Sequence, residues 1–185
     1  MKSTDYKAIQ DMMIRYEGYL QCRRFDLICD HLLSRNEDMT YERSDLESPV
    51  HGKENILLFF EEASGKIEEN GGFYRCDFSN SGTVSFSQDE KSAKGIWLTV
   101  GFICERESHT DASLYRYYKV FGQRCVDFVL EEGCWRMKNI SWKEMMRLGP
   151  YLYDNAKATG WISLKDRRWE LPPDEHTPVW ERGSK

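Results

Sequence analysis

Tyr16, Asp77, Asp127 and four scattered histidines are the side chains whose types could carry acid–base chemistry in this sequence. Tyr16 falls on the apolar stripe of an N-terminal helical pattern, so its hydroxyl either finds a core partner or is presented to a pocket. Asp77 sits among Tyr74, Cys76 and Phe78, where it faces either solvent or an interior that would alter its acidity. Asp127, between Val126 and Phe128, reads as the solvent side of an amphipathic strand. His51 precedes the Gly52 helix start and reads as a cap or loop residue; His31 follows Asp30 on the second helical pattern and reads as half of a local surface pair. His109 lies in a polar loop and His176 in the C-terminal part, and no H-x-x-x-H or cysteine pair accompanies them. A metal site is therefore not expected. Neither a G-x-S-x-G elbow nor a glycine-rich phosphate loop occurs, so no nucleotide or other cofactor is expected.

These residues must be positioned by a chain of 185 residues, long enough for one domain with a sizeable core. Aromatics make up 14%, with six Trp and ten Tyr, a share that suits both a core and a pocket lining. The net charge of −5 and the lack of a basic stripe disfavour nucleic acid as a partner. The polar start has no apolar leader and no run spans a bilayer, so no membrane partner is expected. Six cysteines without C-x-x-C spacing read as free thiols in a reducing cytoplasm.

Periodicity predicts a helix over about 4–22, with Ile9, Met12, Met13, Tyr16 and Leu20 inward and Asp11, Arg15 and Glu17 pointing elsewhere. A short helix over 25–33 follows, then a strand at 39–42 and a helix at 53–66. Residues 73–86 read as a strand interrupted near Asn80-Ser81-Gly82, and 92–104 as a long strand with apolar residues on both faces, hence central and covered on both sides. Two long strands within 115–142 meet at Glu131-Glu132-Gly133. Helices followed by a meander of antiparallel strands indicate an α+β architecture. From about Leu148, Gly149-Pro150, Gly160, Pro172-Pro173 and Pro178 argue against long regular elements, while Trp161, Trp169 and Trp180 argue for packing on something. The expected division is a domain over 1–148 and a tail over 149–185 packed on that domain or on a dimer partner.

The final hairpin resembles that of the SnoaL-like branch of the nuclear transport factor 2-like superfamily. An acidic pair, a glycine, a tryptophan and a basic residue follow Cys125-Val126-Asp127-Phe128-Val129, closing with Cys134-Trp135-Arg136-Met137. The stretch from Ala8-Ile9 through Arg15-Tyr16 to Arg24-Phe25-Asp26, the segment His51-Gly52-Lys53-Glu54-Asn55-Ile56, and Asp89 to Trp97 extend the resemblance over about 8–142. It implies a cone-shaped barrel: a strongly bent antiparallel sheet with three N-terminal helices enclosing a pocket. It also implies aldol cyclisation, dehydration or isomerisation of polycyclic substrates, reactions in which a base takes a proton beside a carbonyl while a donor stabilises the oxygen.

In the dehydratases of the superfamily the helix supplies a Tyr and an Asp, and the first long strand a His. Tyr16 matches the tyrosine; Gln21 stands where the Asp is expected, and the stretch Arg75-Cys76-Asp77 offers Asp77 in place of the His. The catalytic candidates are thus Tyr16 as donor and Asp77 as base, with Tyr41, Trp97, Tyr117 and Trp142 as walls for a small apolar or cyclic ligand. The alternative is a non-catalytic binding or assembly protein on the same fold. An apolar sheet face and the tryptophan-bearing tail lead to an expected homodimer.

Overall fold

The computed structural model describes residues 3–36, 38–69, 74–79, 82–106 and 114–154. Helix α1 (Ser3–Gln21) buries Ile9, Met12, Met13 and Tyr16, the stripe that the 3.6-residue period places on one side. Helix α2 (Phe25–Leu27) continues into a π-helical stretch, Ile28–Leu32, closed by Leu33 N–H donating to Ile28 O at 3.1 Å. Helix α3 (Lys53–Glu69) packs Ile56 and Phe60 against this helical layer, with the Phe60 ring 5.3 Å from Phe25.

The strands are β1 (Thr40–Arg43), β2 (Val50–His51), β3 (Tyr74–Ser79), β4 (Thr83–Phe86), β5 (Ser92–Arg106), β6 (Leu114–Glu131) and β7 (Cys134–Asp154). They form one seven-stranded sheet in the order β2-β1-β7-β6-β5-β3, with β4 also on β5. The sheet is strongly curled but not closed, and it is mixed where sequence suggested purely antiparallel pairing: β1 lies parallel to β7. No hairpin joins that pair, so nothing local dictates its direction; the long connection through α3 allows the parallel arrangement.

The β6–β7 hairpin turns through Glu132 and Gly133, both at positive φ (49° and 80°), as a two-residue turn matching strand twist requires. Glu131 then ties the hairpin to the helical layer. Its carboxylate accepts from Ser34 Oγ at 2.5 Å and from Arg35 N–H and Asn36 Nδ2 at 3.1 Å each. Register shifts near Tyr117/Lys119, Phe121/Gly122 and Asp127/Phe128 bend this pair of strands around the helices.

β7 runs past residue 148, and Tyr151 and Asp154 still pair with Tyr117 and Leu114 on β6. Residues 155–185, which hold the tail's three tryptophans, lie outside the described residues. β5 is central, as its composition suggested, but among the described residues only its inner face is covered. Ala93, Trp97 and Thr99 are buried, whereas Ile96 and Leu98 on the outer face are exposed. Among the described residues no helix is long and apolar enough to cross a membrane.

Candidate functional site

The main core ends at Trp97, Val126 and Ile140, and Tyr118 with Val120 forms a separate buried cluster farther along β6. Between them the inner face carries Thr99, Gly122, Arg124 and Glu144, a polar belt inside the curl of the sheet. Arg124 occupies the centre of a cross-strand row, opposite Trp97 on β5 and Trp142 on β7. Its guanidinium lies 5.2 Å from the centre of the Tyr16 ring, and Nη1 donates to Glu17 Oε1 at 2.8 Å and to Ser79 Oγ at 3.4 Å. Glu17 Oε2 accepts the Ser79 backbone N–H at 3.1 Å, so the helix, the end of β3 and the middle of β6 are joined through one carboxylate. One row along, Trp142 Nε1 donates to Thr99 Oγ1 at 3.0 Å. Beyond it Arg147 grips Glu144 at 2.8 and 2.7 Å and lies 5.3 Å from the Tyr118 ring centre.

The belt brings together three of the residues singled out from sequence. Tyr16 is buried beneath Arg124, 1% exposed. Trp97 and Trp142 flank Arg124, each fitted against glycine backbone. A Cβ at Gly95 would meet the Trp97 ring at 2.1 Å, and one at Gly122 would meet Trp142 at 2.9 Å. Trp97 Nε1 reaches Gln10 Oε1 at 3.4 Å. Tyr41 lies apart, buried against Phe59 and Phe60 with ring centres at 5.5 and 5.0 Å. Asp77 pairs through its backbone with Gly101, and Tyr117 with Cys104 and Tyr151; the side chains of both lie outside the described residues.

This arrangement of helices across the inside of a curled mixed sheet recurs in solved structures. A nuclear transport factor 2-like protein from Novosphingobium aromaticivorans superposes with a TM-score of 0.55 at 14% identity, covering 77% of this chain and 82% of that one. ActVI-ORFA from Streptomyces coelicolor gives 0.59 at 11% identity, covering 77% and 98%. The fold is nuclear transport factor 2-like. A hexachlorocyclohexane dehydrochlorinase, LinA type 3 from Novosphingobium barchaimii, gives 0.61 at 10% identity, covering 78% and 89%. No protein-family model matches the chain, and no curated protein matches it. The resemblance to the SnoaL-like branch therefore holds at the level of the fold.

On this nuclear transport factor 2-like frame, sequence reasoning missed two charged groups. The helix period points Glu17 away from the core; instead it reaches Ser79 and Arg124, because the turn that carries Tyr16 inward brings position 17 to the margin of the same face. Arg124 had a visible signal: it shares the two-residue alternation of Val120, Val126 and Phe128, the buried side of β6. A basic residue at that parity must be paired or functional.

Two further features lie off the belt. A cleft of about 200 Å³ opens between α3 and the end of β1, lined by Arg43, Asp45, Leu46, Phe59, Glu62 and Ala63. Arg43 and Asp45 already close on each other there, at 2.9 and 2.5 Å. Among the described residues Cys22, Cys29, Cys125 and Cys134 are free thiols, and burial pushes the Cys29 thiol up to about 11, leaving it a structural apolar side chain. No group of three or more His, Cys, Asp or Glu among the described residues is placed to hold a metal ion.

Proposed function

We propose that this chain binds a small, largely apolar, cyclic molecule at the polar belt and does so without catalysing its conversion. The observation that carries the reading is the state of Glu17, the carboxylate beside Tyr16. Oε1 is engaged by Arg124 at 2.8 Å and Oε2 by the Ser79 N–H at 3.1 Å, so both oxygens are already committed to donors of the protein. Proton abstraction needs a base within hydrogen-bond reach of the proton it takes. What the belt offers instead is hydroxyl and guanidinium hydrogen bonding set between tryptophans, the mix of a few polar groups and apolar walls typical of small-molecule sites. A panel of steroid-like and polyketide-like carbonyl compounds tests this. Ligands should raise the melting temperature through native-state binding while mass spectrometry finds them unchanged. Tyr16→Phe should weaken the response by roughly 1–3 kcal/mol, the cost of one polar contact in a dry site. Conversion of any compound would overturn the reading in favour of cofactor-independent dehydration, isomerisation or cyclisation, with Tyr16 as donor and Asp77 as base.

We also propose a homodimer formed through the outer sheet face, in the cytoplasm to which the free thiols are suited. Phe78, Val100, Phe121 and Met146 stand in one row across β3, β5, β6 and β7. Phe78 and Met146 are 50% and 48% exposed, and Leu98 beside them 59%. A contiguous apolar surface of this kind exceeds the scattered apolar residues of a monomer, and two-fold pairing removes it. Light scattering should give twice the 21.9 kDa chain mass, and Leu98→Glu should return the protein to a single chain. A mass of 21.9 kDa for the unsubstituted protein at micromolar concentration would refute the dimer.

A further inference from the structure

The curl that places the helices inside makes the outer face of the sheet convex, and two convex faces touch along a crest and diverge on either side of it. The apolar row across the outer face shows the consequence. Val100 and Phe121 at its middle are half-buried, whereas Phe78 and Met146 at its ends, three strand spacings or about 14 Å apart, are exposed. Among the described residues the shoulder on β7 is the broader of the two: Met145 is 63% exposed, and Leu148 extends the surface beyond Met146. Two lysines border it, Lys119 opposite Leu148 and Lys143 opposite Gln123. Both are exposed, and neither has an ion-pair partner among the described residues. Face-to-face pairing of two copies therefore leaves a wedge along this shoulder, apolar at its floor and cationic at its rim.

The chain itself carries a segment of complementary chemistry. β7 ends at Asp154, on the strand that bears this shoulder. Residues 169–180 begin and end on tryptophan, Trp169 and Trp180, and carry Glu170, Asp174 and Glu175 with no lysine or arginine between them. Pro172, Pro173 and Pro178 favour an extended backbone that loses little entropy on docking. The chain from Asp154 to Trp169 can span up to about 50 Å, so the whole shoulder is within reach. We propose that residues 169–180 dock in the wedge between the paired sheets, with Trp169 and Trp180 on the apolar shoulder of Met145, Met146 and Leu148 and the three carboxylates beside Lys119 and Lys143. The inference rests on the homodimer given above and names the part of the chain that completes its interface.

Sedimentation of the full chain over a dilution series gives the dissociation constant of the dimer. Replacing both tryptophans (Trp169→Ser with Trp180→Ser), in a protein whose circular dichroism is unchanged, should raise that constant at least about thirtyfold, since buried tryptophans are among the residues whose loss costs an interface most. A charge exchange separates docking at this shoulder from apolar attraction in general. Lys119→Glu with Lys143→Glu should raise the constant about tenfold. Adding Glu170→Lys, Asp174→Lys and Glu175→Lys to that pair should bring it back to within about threefold of the unsubstituted value. Loss without recovery would put the segment elsewhere and end the inference. An unchanged constant in the tryptophan variant would show that the sheet faces alone hold the dimer, leaving that reading intact and removing this one. If the unsubstituted protein sedimented as a single chain of 21.9 kDa at micromolar concentration, both would fall together.

Discussion

Arg124→Met should lower the stability of the folded chain by about 3–5 kcal/mol, measured as a shift of the urea midpoint at unchanged slope. The cause is the carboxylate left behind more than the lost attraction. With the guanidinium gone, Glu17 stays largely buried, its side chain 15% exposed, with the Ser79 N–H as its remaining partner among the described residues. Methionine is close in volume and loses little packing against Tyr16. The companion change separates the two causes. If Glu17→Leu is added to Arg124→Met, the pair becomes apolar and most of the stability should return, since buried ion pairs replaced as a unit are often neutral or better. Were the double variant as unstable as the single one, the destabilisation would lie in packing around Arg124, and the ion pair would be a minor element of the belt. The outcome also bears on function: an ion pair that can be replaced without loss of stability is not needed by the fold.

What sequence could convey about this site was set by the range of each signal. Tyr16 was legible because a helix stripe is local: Ile9, Met12 and Met13 fix the inward direction within two turns, and the structure buries all four. Residues 80–82 were legible as a break, and β3 and β4 indeed lie on β5 as separate strands. The Glu17–Arg124 pair was not, because its members are 107 positions apart and the helix period leaves position 17 at the border between faces. The parallel β1–β7 pairing was likewise non-local. The length of β7 was obscured by Gly149-Pro150, which reads as a stop. The structure absorbs it in a register shift between the pairs Lys119–Leu148 and Tyr117–Tyr151, one of the few places where a strand tolerates proline. Trp97 was assigned to a wall and Gly95 to no role, although each explains the other.

That mutual fit ties the energetics of Trp97 to those of Gly95. Trp97 is 2% exposed and meets Phe128 edge-on at 6.0 Å. Its indole occupies the space above two glycines: a Cβ at Gly82 or at Gly95 would lie 2.1 Å from the ring. Trp97→Ala should therefore cost about 3–5 kcal/mol, because the backbone at Gly95 is held by pairing with Val84 and Val126 and cannot collapse into the void. Gly95→Ala in the unsubstituted protein should itself cost about 1–3 kcal/mol by forcing the indole off its seat. The decisive measurement is the combination. In the Trp97→Ala background the new methyl at position 95 is left with Phe128 Cε2 at 3.2 Å, a contact the ring relieves by a slight shift into the void, so Gly95→Ala should become nearly neutral, and the two changes should couple by at least about 1 kcal/mol in a denaturation cycle. Strict additivity would mean that the indole is not seated on Gly95 in solution. The ring would then be free to swing over the polar belt, and Trp97 would act as a movable cover for the ligand, where the structure shows a fixed side wall beside Arg124.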